Sequence, residues 1–234
     1  MKKTLFAICV PCLVACGEGE TLEPSLAALQ ITGPLFEEPS TDPECAMNQE
    51  AAAVLSDEVL PIRDRLGAPS ELLDELANTT GVEVGADRVE WLLSDGERSL
   101  VMTRVDEGTR YRVTIDYRES SVAGEFRWAE GQLELDERAG TWTVSSWNGQ
   151  PVMDVDWTSD GDALDVNHYL VGSEHRANRV VSDAVERLTV QRGPDVTAVA
   201  RWDWELANGS LETDQSTVCL TETVGSVCQQ SCAQ

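Results

Sequence analysis

From about Val82 onward, apolar and polar residues alternate along the chain, and turn-forming pairs interrupt the alternation about every ten residues. In the run 111–117 the odd positions are Tyr, Val, Ile and Tyr, whereas the even positions are Arg, Thr and Asp. A period of two places one face of a strand in a core and the other in water. Asn148-Gly149 is the strongest hairpin signal among the turn pairs. The pattern therefore predicts an antiparallel meander.

Eleven runs carry this alternation, and a helical period precedes them in residues 46–78. The runs are 89–93, 100–105, 111–117, 125–128, 132–136, 141–147, 152–157, 164–171, 185–191, 196–206 and 216–221. Strands that follow one another through tight turns, without βαβ units, favour an antiparallel over a parallel sheet. We predict a mainly β (α+β) fold with about eleven short strands in an open or closed barrel-like meander. A short N-terminal helical segment precedes the meander.

The first sixteen residues have the layout of a secretory signal, with Lys2 and Lys3 ahead of a twelve-residue apolar run. The run is too short for a transmembrane helix, which needs about 20 residues. Its end, Leu13-Val14-Ala15-Cys16, resembles the lipobox of bacterial lipoproteins. The resemblance implies cleavage before Cys16, lipid transfer to its thiol and acylation (palmitate) of its amino group. It also implies a Gram-negative envelope location, with Gly17 after the lipid site favouring the outer membrane.

The predicted organisation has three parts. Residues 1–15 are the signal peptide, and residues 16–44 are a lipidated acidic tether, rich in Glu, Asp and Pro and without a basic residue. The more apolar stretch Leu26–Phe36 could dock on the domain. Residues 45–234 form one β-rich domain with a helical cap at about 46–78, the meander at about 82–221 and a disulfide-linked tail at 219–234.

The charge balance excludes several functions. Loss of the signal peptide removes Lys2 and Lys3 from the 17 basic residues, which leaves 15 Arg against 42 acidic residues and a formal charge of −27. A mature chain without lysine cannot use a Schiff base. Such an acidic surface repels nucleic acid and anionic lipid heads, so we expect no nucleic-acid partner. The expected contact with a membrane is through the lipid anchor that the lipobox resemblance implies.

Four cysteines remain in the mature chain besides Cys16, namely Cys45, Cys219, Cys228 and Cys232. An even number in an exported protein predicts two disulfides, and three connectivities are open. Zinc is the alternative, but the spacing lacks a CxxC pair and a neighbouring histidine.

Seven tryptophans suggest either core packing or an exposed platform for a sugar or an apolar ligand. Trp147 and Trp157 are the ligand candidates, because both stand at strand ends beside turns. Asp156, Asp160 and Asp162 are weak metal candidates, since the loop resembles an EF-hand only in part and Asn167 stands where a bidentate Glu belongs. His168 and His175 are the two imidazoles, and no catalytic motif includes either of them.

Helices followed by a long meander are weakly similar to the open-barrel lipoprotein carriers and receptors of the Gram-negative envelope. That resemblance covers about Cys45–Thr221 as a pattern, and it implies a half-closed sheet that holds acyl chains. We therefore expect a non-catalytic binding or interaction domain, without a cofactor, for an apolar ligand, a glycan or an envelope protein. The alternatives are a hydrolase that uses carboxylates and a calcium-binding surface module.

Overall fold

The computed structural model describes residues 23–30, 34–42, 49–120, 124–214, 216–223 and 226–230. Within these residues the protein is mainly β, with fourteen antiparallel strands in one open sheet and each strand paired to the next along the chain. The strands are β1 Val82–Glu83, β2 Arg88–Ser94, β3 Arg98–Asp106, β4 Tyr111–Glu119, β5 Glu125–Leu133, β6 Ala139–Ser145, β7 Pro151–Ser159, β8 Ala163–Leu170, β9 His175–Ser182, β10 Val185–Arg192, β11 Asp195–Asp203, β12 Asn208–Glu212, β13 Thr217–Thr223 and β14 Ser226–Gln230.

Consecutive antiparallel strands place their connections alternately at two ends of the sheet. We call the end with connections 107–110, 134–138, 160–162 and 204–207 the lower end. The upper end has connections 95–97, 146–150 and 171–174. The predicted Asn-Gly hairpin is confirmed at the upper end, where Gly149 adopts a φ of 77° that glycine tolerates without strain.

Short helical segments lie along the inner face of the sheet and contact β2, β7, β8, β11 and β14. They are α1 Glu23–Ala27, a 3₁₀ turn Pro34–Phe36, α2 Gln49–Val54, a π-helical turn Leu55–Val59, α3 Leu60–Leu66, a 3₁₀ turn Ala68–Leu72 and α4 Leu73–Ala77. Pro61 stands in the first turn of α3 and Gly67 ends it with a φ of 65°. Ser70 does not cap α4; its hydroxyl donates to the Gly67 carbonyl.

The inner face forms the core because alternate residues of each strand point towards these helices. In β4 the buried residues include Val113, Ile115 and Tyr117, as the alternation predicts. Register shifts near Ile115, Val144 and Val190 mark β-bulges. Bulges bend a strand and increase its twist, which helps the sheet to curl around the helices.

The predicted class is confirmed, but the strand count differs for identifiable reasons. Runs 125–128 and 132–136 belong to the single strand β5, which passes through Gly131 without a break. β9 is not among the predicted runs, because its inner face includes His175 and Arg179 and so lacks apolar alternation. β1, β12 and β14 are the other strands that the pattern does not predict.

The largest difference from the sequence prediction is the boundary of the domain. Leu26, Leu29, Leu35 and Phe36 are almost fully buried in the core although they lie within the predicted tether 16–44. Residues 38–40 continue along the edge of β14, where Pro39 bridges Val227 in parallel and the Ser40 N–H donates to the Val227 carbonyl. The folded unit therefore begins before Cys45, since these apolar residues cover the inner face of the sheet.

Candidate functional site

The most prominent concave feature that we find at the lower end is a groove of about 600 Å³. The lower ends of β5, β6 and β7 form its walls together with the connection between β3 and β4. This volume lies within the range of about 300–1,000 Å³ that small-molecule sites occupy. The groove is therefore our candidate binding site.

Three polar side chains stand in one row across the outer wall of the groove. The register sets Gln132 opposite Thr141 and Thr141 opposite Asp156, so neighbouring strands present an amide, a hydroxyl and a carboxylate side by side. Arg110 reaches this row from the β3–β4 connection and donates from Nη1 to Gln132 Oε1 at 2.6 Å. The sheet backbone fixes this spacing, so a ligand meets pre-oriented donors and acceptors.

The floor of the groove comes from the next row, in which Leu133, Gly140 and Trp157 face one another. A Cβ atom at Gly140 would lie 3.0 Å from Trp157 Nε1 and 2.7 Å from the Gln132 carbonyl oxygen. Only glycine leaves room for this close approach, which is a recognised role of glycine within a strand. The indole edge and the Leu133 side chain therefore pack directly against the Gly140 backbone, beside the groove.

Trp157 differs from Trp128 and Trp142 of this inner layer in the hydrogen bonding of its indole N–H. Its indole Nε1 is buried and has no hydrogen-bond partner within the described residues. By contrast, Trp128 Nε1 donates to the Leu66 carbonyl and Trp142 Nε1 donates to the Ser25 carbonyl, both at 3.0 Å. A buried N–H without an acceptor costs about 1–3 kcal/mol. A ligand oxygen that came within hydrogen-bond distance of Nε1 would recover part of this free energy.

The charges of the groove restrict what it can bind. Glu134 and Asp156 line it, and the single cation, Arg110, also contacts the Glu107 carboxylate at 3.3 Å. The two carboxylates together with the strongly acidic chain disfavour an anionic ligand. A neutral ligand with hydroxyl groups meets no such penalty.

A second polar cluster at the upper end joins the helices to the sheet. Glu58 accepts from Arg192 Nη2 at 2.8 Å and from Thr197 Oγ1 at 3.3 Å, and His175 Nε2 lies 3.6 Å from its Oε2 atom. Burial lowers the pKa of His175 despite the neighbouring carboxylate. These contacts tie the π-helical turn Leu55–Val59 to β9, β10 and β11, which is a structural role.

A third cluster lies on the inner face of β8, β9 and β10. Arg179 Nε donates to Glu186, Nη1 donates to the Gln30 carbonyl, and the guanidinium stacks over the Phe36 ring with its carbon 5.7 Å from the ring centroid. His168 is fully buried, and burial lowers its pKa to about 3, so the imidazole is neutral. The arginine thus fastens the segments 26–30 and 34–36 to the sheet.

The sequence candidates separate in the structure. Trp147 is 72% exposed on the connection 146–150 at the upper end, whereas Trp157 is only 2% exposed at the lower end. Trp157 is therefore not the exposed platform that the sequence suggests, because Met153, Val155 and Trp157 face inward together. The two tryptophans cannot form one platform, since opposite ends of the sheet carry them.

The acidic candidates also separate. Asp156 belongs to the groove wall, whereas Asp160 accepts from the backbone N–H groups of Asp162 and Ala163 in the next turn. These hydrogen bonds lower the pKa of the Asp160 carboxyl. Within the part of the chain that the structure describes, no group of three or more Asp, Glu, His or Cys is placed to hold a metal ion.

Two of the cysteines predicted to form disulfides lie on neighbouring strands. Cys219 of β13 stands opposite Gln230, and Cys228 of β14 stands opposite Thr221, so the two are not direct cross-strand partners. Cys16, Cys45 and Cys232 lie outside the described residues. We retain two disulfides as a proposal in which Cys219 and Cys228 both take part.

The groove residues other than Trp157 and Asp156 were not predicted from the sequence. Gln132, Arg110 and Gly140 belong to no local motif, and they meet only because the register aligns three strands. No local signal marks Gly140, which precedes the predicted run 141–147 although it lies inside β6, where a glycine permits a close approach.

Comparison with known proteins adds no family to this picture. No protein-family model matches the chain, and no curated protein matches it either. Among the residues that the structure describes, no helix is long and apolar enough to cross a membrane.

Proposed function

We propose that the protein is a lipid-anchored binding module of the Gram-negative cell envelope, attached to the outer membrane through Cys16, and that its groove binds a neutral glycan without catalysis. The observation that supports binding is the buried Trp157 Nε1, which lacks a partner beside a groove of about 600 Å³. Sugar hydroxyls suit this site because each both donates and accepts hydrogen bonds. One hydroxyl group donates its O–H to the Asp156 carboxylate on the outer wall, while the oxygen of another, at the lower end of the sheet, accepts from the inward-facing indole N–H.

A glycan fits these observations better than an acyl chain. Leu29, Leu35, Leu73 and Leu76 fill the space between the helices and the sheet, and all are fully buried. The groove lies outside this layer, and amide, hydroxyl and carboxylate groups line its wall. An acyl chain would leave those polar groups without partners, which costs free energy.

Titration calorimetry with neutral oligosaccharides tests the groove. The full mature chain, oxidised, is titrated with tetramers of N-acetylglucosamine, glucose and mannose. We expect at least one tetramer to bind, with affinity at least tenfold weaker in Asp156→Asn and in Trp157→Phe. Asp154→Asn is the matched control, because Asp154 lies on the same face of β7 and contacts Thr143 instead of the groove.

The proposed site is wrong if no tetramer binds, or if Asp154→Asn weakens binding as much as Asp156→Asn does. Native mass spectrometry of the same sample adds an independent test. A co-purifying hexose-containing mass supports the glycan, whereas a co-purifying fatty acid or phospholipid contradicts it.

The anchor is tested separately, by the intact mass of the protein extracted from membranes. We expect the wild-type chain to begin at Cys16 and to carry the mass of the diacylglyceryl and acyl groups. Cys16→Ser should lack these groups. Cys9→Ser is the control, because residue 9 lies in the part of the signal that is removed. An unmodified wild-type mass would refute the anchor.

A further inference from the structure

A second cavity lies on the outer face of the sheet, where β2, β3, β4 and β5 run side by side. Its volume is about 190 Å³, and three arginines line it, namely Arg88, Arg112 and Arg127. We call this cavity the outer pocket. In a chain with 42 acidic residues, three guanidinium groups around one cavity are a marked local concentration of positive charge.

The register of the sheet places two of these arginines on opposite sides of one strand. Arg88 of β2 stands opposite Val105 of β3, and Val105 stands opposite Arg112 of β4. Because neighbouring strands lie about 4.8 Å apart, the backbones of the two arginines are about 10 Å apart. A single small ligand between them is within reach of both side chains.

A β-bulge in β5 brings the third arginine to the same face. The register shifts by one residue between Ile115 and Asp116 of β4, and Asp116 pairs with Arg127. In a regular ladder Trp128 would stand opposite Asp116, and Arg127 would point to the inner face. Bulges redirect side chains in this way beside functional sites.

Two threonines form the floor of the outer pocket. Thr103 and Thr114 are direct cross-strand partners, and both line the cavity. Only 9% of Thr103 and 6% of Thr114 is exposed, although both lie on the outer face. Neither hydroxyl group is hydrogen-bonded to another residue that the structure describes. Since buried hydroxyl groups ordinarily have a partner, these two are available to a ligand.

The glutamates that contact the arginines leave hydrogen-bond donors free for a ligand. Glu90 accepts from Arg88 Nη2, and Glu107 accepts from Arg112 Nε at 2.9 Å, but neither glutamate lines the outer pocket. The two Nη groups of Arg112 make no hydrogen bond or ion pair with the described residues. A guanidinium has five N–H donors, so one contact with a carboxylate does not exhaust it.

The acidic residue of the lining is already neutralised. Asp116 accepts from Arg127 Nε at 2.8 Å and from Arg127 Nη2 at 3.2 Å, so both of its carboxylate oxygens are occupied. Arg88 and Arg112 therefore determine the charge that a ligand meets in the outer pocket.

We propose that the outer pocket binds one phosphate or sulfate group, an inference that depends on neither the lipid anchor nor the glycan in the groove. Guanidinium groups match the oxygen atoms of such groups in pairs, and the hydroxyl groups of Thr103 and Thr114 donate to the remaining oxygens. A cavity of about 190 Å³ is smaller than the range of about 300–1,000 Å³ for whole small molecules, so it suits a single anionic group.

The net charge of the chain does not exclude this anion. At physiological ionic strength, charges on the surface are largely screened beyond about 8 Å, so the nearest guanidinium groups outweigh distant carboxylates. The acidic surroundings should still keep the affinity low.

The anionic group can come from two sources, because the outer pocket adjoins the groove. Arg112 stands directly opposite Gln132 of the groove wall. The group is either a free ion or a substituent of a sugar that extends from the groove. The experiment includes a probe for each source.

Amide-resolved NMR of the full mature chain, oxidised and isotope-labelled, measures binding to the outer pocket. Sodium phosphate and sodium sulfate are added separately, while sodium chloride keeps the ionic strength constant. Arg112→Gln and Thr114→Val each remove one donor. Arg118→Gln is the matched control, because Arg118 lies on the outer face of β4 without lining the cavity. The spectrum of each variant shows whether it is folded.

We expect saturable shifts of the Thr103 and Thr114 amide signals at millimolar phosphate or sulfate. The affinity should be at least fivefold weaker in Arg112→Gln and in Thr114→Val, and unchanged in Arg118→Gln. Absence of saturable shifts would overturn the proposal. Equal weakening by Arg112→Gln and Arg118→Gln would also overturn it, because it would show attraction to the general charge of the surface.

Glucose 6-phosphate, titrated beside glucose, identifies the source of the anionic group. Binding at least tenfold tighter than that of inorganic phosphate supports a phosphorylated sugar in the outer pocket. Equal affinities support a free ion in the same pocket.

Discussion

Substitution of Leu29 by alanine should destabilise the protein by about 3 kcal/mol, because the side chain is fully buried. Leu29 belongs to the segments 25–30 and 34–40, which we together call the strap. Leucine-to-alanine changes at such sites cost about 2–5 kcal/mol through lost transfer free energy and the cavity left behind. With a urea m-value of about 2 kcal/mol/M for a chain of this size, the unfolding midpoint should fall by about 1.5 M. Tryptophan fluorescence reports this transition.

The control for Leu29→Ala is Leu92→Ala, since Leu92 lies on the outer face of β2 with 64% of its surface exposed. A surface change of this kind costs about 0.5 kcal/mol or less, or about 0.25 M in the midpoint. If residues 16–44 are a tether throughout, Leu29→Ala should behave like Leu92→Ala. Equal midpoints for the two variants would refute the assignment of the strap to the core.

Removal of the whole strap extends the same reasoning. A chain that begins at Gln49 loses Leu26, Leu29, Leu35 and Phe36, each of which contributes about 1.5–3 kcal/mol by burial. The loss of about 6–12 kcal/mol is comparable with the entire stability of a typical domain, about 5–15 kcal/mol. We expect this truncated chain to lack a cooperative transition, whereas a chain that begins at Gly17 should retain it.

Three further predictions concern the inner face. Trp142→Phe should cost about 1–3 kcal/mol more than Trp157→Phe, because both remove buried ring volume but only Trp142→Phe leaves a buried carbonyl without its donor. Urea unfolding of both variants checks this order. Arg179→Met alone should cost about 3–5 kcal/mol, because it leaves the Glu186 carboxylate buried without its partner. Adding Glu186→Leu removes that carboxylate and should restore at least half of the lost stability. A double variant no more stable than Arg179→Met would contradict this. Burial lowers the pKa of His168 from 6.5 to about 3, so between these values the unfolded chain binds a proton that the folded chain does not. The free energy of unfolding therefore falls as the pH drops below about 6.5. From pH 7 to pH 5 this fall should be about 2 kcal/mol larger in the wild type than in His168→Gln.

The alternation of residues along the chain predicted the fold class because it records which face of each strand is buried. It failed where the inner face is polar, as in β9, since His175 and Arg179 face inward only because Glu58 and Glu186 meet them from other elements. The alternation of residues within one strand contains no information about partners that come from distant elements.

The strap was assigned to the tether for a related reason. Acidic residues and prolines dominate the composition of residues 16–44, whereas the short apolar stretch within it becomes core only when the curled sheet provides a surface. The residues that hold it are distant in the sequence; Arg179 and Gln30, for example, are 149 residues apart.

The candidate site was predicted in part. Trp157 and Asp156 were both singled out, but as members of different sites, because their neighbours depend on register. A shift of one residue between β6 and β7 would exchange the faces of the strand and separate Gly140 from Trp157. Trp157 was a candidate for an exposed platform because it stands at a strand end, whereas it shares the inward face of β7 with Met153 and Val155.

The pairing of residues 38–40 with β14 has a consequence for solubility. An open sheet ends in strands whose unpaired N–H and C=O groups can recruit a strand from another molecule. At one margin of this sheet β1 is only two residues long, and at the other the Val227 carbonyl and N–H are both occupied by Ser40 and Glu38. Release of this short segment would expose a β-strand edge suited to intermolecular pairing. Detachment of the strap should therefore be followed by self-association, at a rate that rises with protein concentration.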